Sequence, residues 1–173
     1  MPRYRGSVAW SVVKWGRQMD KGLAVFFDIG DTLASAVVEG GRLSRLDVYR
    51  FIPDVLARLR AGGEGVSVSV GLISNTGDET AARMNQVLAD AGLSALVDAH
   101  LCLFSSVEGL DKSQPAFFEL ARDRAAVPAA RCLFVGENAE ERAVAASVGF
   151  RVSPHPLHGL HLVESEFFAQ LHA

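Results

Sequence analysis

An apolar run that ends abruptly in carboxylates, LAVFFDIGDTL at residues 23–33, constrains the fold more than any other stretch of the chain. Its continuous apolar part is typical of a strand covered on both faces in a parallel sheet. Asp28 would then lie at the carboxyl end of that strand, where open α/β sheets bind their ligands. The same residues also fit an Asp that only caps the following turn, because Asp and Gly are common turn residues.

Helix and strand signals alternate along the rest of the chain. A β-hairpin is predicted around Gly40-Gly41, within residues 34–49, and a helix with a glycine end follows at 52–61. Further strands are predicted at 66–74, within 99–104, at 132–135 and at 150–152, and further helices at 78–91, from the cap Ser113 and early Pro115 to Val127-Pro128, at 139–148 and at 162–172. This order predicts an α/β fold, a three-layer α/β/α sandwich around a parallel, Rossmann-like sheet.

Composition excludes several classes of protein. The 173 residues suit one domain, and 17 basic against 20 acidic residues give a net charge of −3, so no global charge favours nucleic acid. No apolar run approaches the ~18 residues of a membrane span, so we expect a cytoplasmic protein without membrane association. Cys102 and Cys132 lie in apolar contexts and are predicted to be buried thiols rather than a disulfide.

The chain is predicted to have three parts. Residues 1–21 form an appendage of uncertain structure, with five basic residues and one acidic residue, and Met19 leaves open an upstream start before the domain. Residues 22–160 form the core, with the hairpin flap at about 34–50, and residues 161–173 form a C-terminal helix that packs on it. The basic N-terminal segment could instead contact an acidic partner.

Four polar positions follow predicted strands or open a predicted helix. They are Asp28, the pair Ser74-Asn75, Lys112, and the pair Gly136-Glu137. Right-handed parallel connections bring the carboxyl ends of strands to one edge of the sheet. An Asp nucleophile, a hydroxyl, a lysine and further carboxylates together indicate magnesium-dependent phosphoryl transfer through an aspartyl-phosphate.

In this order the motifs resemble those of the haloacid dehalogenase superfamily over most of residues 23–153. The resemblance rests on Asp28 with Thr32, Ser74 in GLISNTG, Lys112 in GLDKSQPAFFELA, and the segment FVGENAEERAVAASVGF. It implies a HAD-like phosphatase that uses Mg²⁺. It also implies site residues in three sets: catalytic Asp28, Ser74 and Lys112; substrate-binding Thr32, Ser74, Asn75 and Lys112; and metal-binding Asp28, the Gly30 carbonyl, Glu137 and Glu141.

Two of the four motifs depart from the family pattern. Phosphatases of the family usually carry a second Asp two residues after the nucleophile, as general acid and base, but Gly30 stands there. Asp31 is one residue too late if Thr32 keeps its family position, so it is predicted to be a turn residue. In the fourth motif, glutamates 137, 140 and 141 replace the usual aspartates, and Glu140 and Glu141 could equally be solvated first-turn acids.

Motif spacing leaves no room for a cap domain, because only 46 residues separate Asp28 from Ser74. Relatives that dehalogenate use cap residues, so phosphate esters are the expected substrates, whether small molecules or macromolecules. The open site could also be covered by a second subunit in a homo-oligomer. Two further clusters are predicted to be solvated or structural: the hairpin arginines 42, 45 and 50, which could alternatively meet an anionic substrate, and the histidines 155, 158 and 161, predicted as a polar loop rather than a metal site.

Two functional hypotheses remain open from the sequence. The first is a capless, magnesium-dependent phosphomonoester hydrolase with weak acid–base catalysis, favoured by the four motifs in order. The second is a weakly active or inactive protein of the same fold that binds a partner or regulates it. Gly30 and the glutamate substitutions favour the second hypothesis.

Overall fold

A computed structural model describes residues 22–63 and 65–168; for residues 167 and 168 this description covers the backbone only. The predicted N-terminal appendage, residues 1–21, lies outside the described residues. Residues 169–173, which include the end of the predicted C-terminal helix, also lie outside them. Within the described residues, no helix is long and apolar enough to cross a membrane.

A five-stranded parallel sheet forms the centre of the molecule, with strand order β5-β4-β1-β6-β7. A separate two-stranded antiparallel sheet, β2-β3, is the predicted hairpin. The strands are β1 (Gly22–Phe27), β2 (Ala34–Glu39), β3 (Arg42–Val48), β4 (Ser67–Ser74), β5 (Cys102–Phe104), β6 (Cys132–Val135) and β7 (Arg151–Ser153). The strand of the opening motif is therefore the middle strand, hydrogen-bonded on both sides.

Helices connect these strands. They are α1 (Ile52–Ala61), α2 (Ala81–Asp90), α3 (Ser105–Glu108), α4 (Pro115–Ala125), α5 (Ala139–Ser147) and α6 (Pro156–Leu162), which continues as a π-helical segment, Val163–Phe168. Two 3₁₀ turns, Ala99–Leu101 and Ala129–Arg131, precede β5 and β6.

Two apolar cores lie on opposite faces of the sheet. Along β1, Val25 and Phe27 belong to one core, while Ala24 and Phe26 belong to the other, as the two-residue period of a strand requires. The first core takes in buried residues of α1, α2 and α6, and the second takes in those of α4 and α5. The predicted three-layer α/β fold is confirmed.

Two predicted helix starts were wrong, and one short helix was not predicted. Helix α2 begins at Ala81 rather than at Asp78, because the Thr80 hydroxyl accepts the Arg83 N–H and caps the helix. Ser113 does not cap α4: the N-cap is Gln114, without a side-chain bond, and Ser113 instead donates to Asp111. The short helix α3 was not predicted, since four residues carry too little periodicity to detect.

The histidine-rich segment is helical rather than a polar loop. His155 caps α6 by accepting the Leu157 N–H at its Nδ1, so the C-terminal helical region begins at Pro156 and not at residue 162. His158 Nδ1 lies 2.9 Å from the hydroxyl of buried Ser153. The described residues contain no group of three or more His, Cys, Asp or Glu side chains placed to hold a metal.

Both cysteines are free thiols, Cys132 buried and Cys102 half-buried, in agreement with the sequence. Burial raises the pKa of each thiol to about 12. They are therefore protonated at neutral pH and serve as small apolar core residues.

Candidate active site

The nucleophile candidate Asp28 follows β1 directly at the carboxyl edge of the sheet. Its backbone N–H donates to the Val135 carbonyl at 2.9 Å, which extends the pairing of β1 with β6 by one residue. Asp28 is only 7% exposed. Close packing is possible here because Gly136 lacks a side chain: a Cβ at that position would lie 2.9 Å from the Phe134 ring and 3.5 Å from the Asp28 Cβ.

A tight turn follows Asp28. The Ile29 carbonyl accepts from the Leu33 and Ala34 N–H groups at 2.9 and 3.1 Å. Asp31 has a φ of 55°, a left-handed conformation that Asp tolerates better than most residues, and it is exposed. Its geometry is that of a turn residue, as the register anchored on Thr32 predicted.

The centre of the site is Lys112, in the turn before α4. Its Nζ lies 2.6 Å from Asp28 Oδ1 and 2.7 Å from Glu141 Oε2, and the residue is only 3% exposed. A buried lysine needs such partners because an unpaired charge is costly to desolvate. The Lys112 backbone N–H donates to the Asn75 side-chain oxygen at 3.0 Å, so Asn75 fixes the turn that delivers the lysine.

Two buried hydroxyls complete this part of the site. Ser74 ends β4 and pairs with Phe104, and its hydroxyl makes no hydrogen bond within the described residues, which leaves it available to a ligand. The Thr32 hydroxyl accepts the Glu137 N–H at 3.3 Å and so links the first and fourth motifs. The predicted ligand-binding role of Thr32 stays a prediction, while its structural role is to hold the loop after β6.

Glu141 and Glu137 approach the site from the start of α5. Asn138 caps this helix by accepting the Glu140 and Glu141 N–H groups at 2.9 and 3.1 Å. Glu141 Oε2 is buried and has no hydrogen-bond partner among the described residues apart from its ion-pair contact with Lys112. Glu137 and Glu140 are exposed.

Burial raises the pKa of the Glu141 carboxyl above its ordinary value. Lys112 opposes this shift, while the negative charges of Asp28 and Glu137 add to it. The carboxylates around Lys112 thus carry more negative charge than that lysine alone balances. The chemistry of these donors suits magnesium, because they are hard oxygen ligands, and Mg²⁺ commonly uses one or two carboxylates, completed by water.

A cavity of about 520 Å³ opens beside these residues. It borders Gly30, Ser74 and Asn75 on one side and the β2-β3 hairpin on the other. The remaining lining residues are Ile29, Ala36, Gly41, Arg42, Leu43, Leu46, Thr76, Gly77, Asp78, Glu79 and Met84. The sequence did not predict that hairpin and α2 residues line this cavity, because these residues are far apart in the chain and meet only in the folded structure.

Sequence reasoning also missed Arg142, which braces the loop after β6. Its Nη1 donates to the Gly136 and Glu137 carbonyls, at 2.7 Å each. The only sequence signal was its place in the first turns of α5, one residue after Glu141.

Comparison with solved structures identifies the fold of this architecture. An L-2-haloacid dehalogenase from Xanthobacter autotrophicus matches with a TM-score of 0.64 and 15% identity, over 86% of this chain and 100% of that chain. A HAD-superfamily hydrolase, subfamily IA, from Geobacter sulfurreducens matches with a TM-score of 0.61 and 12% identity, over 81% and 98% of the two chains. The chain has the haloacid dehalogenase-like fold.

A further HAD-fold match has higher identity but shorter coverage. The L-2-haloacid dehalogenase RSc1362 is 25% identical, with a TM-score of 0.58, over 70% of this chain and 58% of that one. No protein-family model matches the sequence, and no curated protein matches it. The likeness therefore establishes the HAD fold, and the chemistry must be argued from the side chains of this chain.

Proposed function

We propose that this HAD-fold protein is a capless, magnesium-dependent phosphomonoester hydrolase that works through a phosphoryl group on Asp28. The observation that carries the proposal is the buried Lys112 nitrogen, which lies 2.6 Å from Asp28 Oδ1. Ser74, also buried, ends a strand at the same edge of the sheet. The HAD-superfamily hydrolases among the similar solved structures support a hydrolase.

In the first step, a carboxylate oxygen of Asp28 attacks phosphorus while the bond from phosphorus to the ester oxygen breaks. Lys112 binds the other carboxylate oxygen and so orients the nucleophile. Negative charge spreads over the equatorial phosphoryl oxygens, where Lys112 and the Ser74 hydroxyl supply positive charge and a hydrogen bond.

Magnesium would be held by Asp28 and the Gly30 carbonyl, with Glu137 and Glu141 at the rim, and water would fill the other positions. When bound, it supplies charge neutralisation for the phosphoryl group. Glu141 already pairs with Lys112, so its share in metal binding depends on how that pair rearranges.

The departing ester oxygen takes the electron pair and needs a proton. Position 30 carries no side chain to supply one, so substrates whose alcohols are good leaving groups are favoured. In the second step, water attacks the phosphoryl group on Asp28, releases phosphate and regenerates the carboxylate. Gly30 provides no general base for that water either.

Turnover of a generic aryl phosphate with and without magnesium tests the proposal. We expect magnesium-dependent release of phosphate that Asp28→Asn abolishes without unfolding the protein. A 2-haloacid should be included among the tested substrates because some of the similar solved structures are L-2-haloacid dehalogenases. Absence of turnover across a broad panel of phosphate esters would reject the phosphatase.

A binding or regulatory protein of the same fold is the second candidate, and Gly30 is the observation that favours it. Calorimetry with magnesium and a phosphate analogue separates the two. If neither the metal nor the analogue binds while a partner protein copurifies, the binding protein is the better account.

A further inference from the structure

Three residues predicted for the phosphoryl site, Gly30, Ser74 and Asn75, line one side of the cavity, while Asp28 and Lys112 lie outside its lining. The cavity volume of about 520 Å³ lies in the range of small-molecule sites. A Cβ at Gly30 would meet no atom of the described residues within 4 Å. Position 30, two residues after the nucleophile, therefore has room for a side chain.

The cavity has an apolar part, which we call its floor, and a polar part that includes Arg42, Asp78 and Glu79. Ile29, Leu46 and Met84 are buried, with exposures of 3%, 7% and 2%, and all three line it. Ala36 and Leu43 of the hairpin extend the apolar lining toward solvent. Such a surface gains free energy when an apolar group covers it.

Two side chains from the β4–α2 region hold the hairpin over this floor. Glu79 Oε1 accepts the Leu43 N–H at 3.0 Å, while Arg83 Nη2 donates to the Leu43 and Ser44 carbonyls at 2.7 and 2.9 Å. We refer to Glu79 and Arg83 as the hairpin clamp. A two-stranded hairpin is marginally stable alone, so its position depends on such tertiary bonds.

The clamp itself is anchored by the unpredicted helix α3. The Ser106 hydroxyl donates to the Glu79 carbonyl, and the Ser105 hydroxyl accepts the Thr76 N–H at 2.8 Å. The hairpin wall is thereby linked to the end of β5 and hence to the central sheet.

We propose that this cavity receives the leaving group of the substrate, that the substrate is a phosphate monoester of a compact, apolar alcohol or phenol, and that Glu79 and Arg83 are positioning residues that set the cavity wall. This inference rests on the proposed function and selects a small molecule over a phosphorylated macromolecule. The apolar body lies on Ile29, Leu46 and Met84, while the phosphoryl group remains at Asp28 and Lys112.

Binding of two phosphonates to the magnesium-loaded protein tests this without turnover. One is (1-naphthylmethyl)phosphonate, whose ring would occupy part of the cavity, and the other is methylphosphonate, which has the same head group and no ring. We expect the naphthyl compound to bind about tenfold more tightly or better, because its ring leaves water. Arg83→Met should weaken its binding about tenfold and leave methylphosphonate within about twofold, with Arg83→Lys intermediate.

Arg45→Met is the matched control. Arg45 lies on the same hairpin, pairs with exposed Asp47 and does not line the cavity, so its loss should change neither affinity. Ala36→Phe is an independent variant in case Arg83→Met fails to fold. Ala36 is exposed and outside the clamp, and a phenyl ring there should weaken naphthyl binding alone.

Equal affinity of the wild type for both phosphonates would overturn the inference. So would Arg83→Met weakening both ligands equally, or Ala36→Phe leaving the naphthyl compound unaffected. Hydrolysis of acetyl phosphate by the wild type, and its loss in Asp28→Asn, reports on the proposed function separately, because its small leaving group does not reach the hairpin.

Discussion

The two sides of the Asp28 carboxylate differ sharply. On the Lys112 side, one buried nitrogen contacts two carboxylates, and Asn75 fixes the turn that carries it. On the Gly30 side, position 30 has no side chain, and a Cβ there would have no atom of the described residues within 4 Å. This difference indicates that Lys112 can neutralise negative charge at Asp28, whereas position 30 has no group that could transfer a proton to or from the leaving group.

Removing the nucleophile should have the largest effect on the rate, since both Lys112 and position 30 can act only through a phosphoryl group on Asp28. Asp28→Asn should lower kcat for an aryl phosphate by about 10⁴-fold or more. Lys112 keeps Glu141 as a partner, so the variant should fold. Phosphate release and circular dichroism check this, and residual turnover near that of the wild type would exclude Asp28.

Introducing a carboxyl group at position 30 should raise the rate of hydrolysis. Gly30→Asp places a carboxyl in open space, and general acid–base help is worth about 10²- to 10⁴-fold in rate. The gain should be greatest for poor leaving groups, as kcat against alcohol pKa would show. Gly30→Asn is the matched control, with the same size and no proton to transfer, and an equal gain in both variants would contradict the explanation.

Removing the cation should damage both stability and rate. Lys112→Met leaves Asp28 and Glu141 facing each other, and a broken buried pair costs about 3 kcal/mol, or roughly 6–12 °C in Tm. The rate should fall by about 10²- to 10³-fold. Arg122→Met, which breaks the exposed pair with Asp123, is the control and should change Tm little. Similar Tm values for both variants would show that Lys112 is not a buried counter-ion.

The smallest effect concerns the pH dependence of stability. Because the pKa of Glu141 is raised in the folded state, the folded protein binds more protons there than the unfolded chain, and stability falls as pH rises through that window. Glu141→Gln removes this dependence. Thermal unfolding without metal, from about pH 4 to about pH 8, should show the Gln variant gaining on the wild type as pH rises above the ordinary carboxyl range. A constant difference across that range would contradict the raised pKa.

The sequence predicted the helices, strands and turns around the site better than the side-chain contacts within it. The strand before Asp28, the order of helices and strands and the turn role of Asp31 followed from local patterns of apolar and turn residues. The Glu141–Lys112 pair and the bonds from the hairpin clamp to Leu43 join residues far apart in the chain, which no local pattern reports. The start of the C-terminal helical region was predicted six residues too late because Pro156 and Gly159 resemble loop residues, whereas Pro is favoured at the first helical position.

Trapping the phosphorylated protein tests the central claim most directly. The wild type is mixed with magnesium and acetyl phosphate, quenched in acid and digested, and its peptides are analysed by mass spectrometry. Since Gly30 offers no base for the attacking water, we predict that one phosphoryl group accumulates on the peptide that contains Asp28 and is absent from Asp28→Asn. Phosphate release from the wild type with no phosphoryl group on that peptide, or with the group on another residue, would contradict the account.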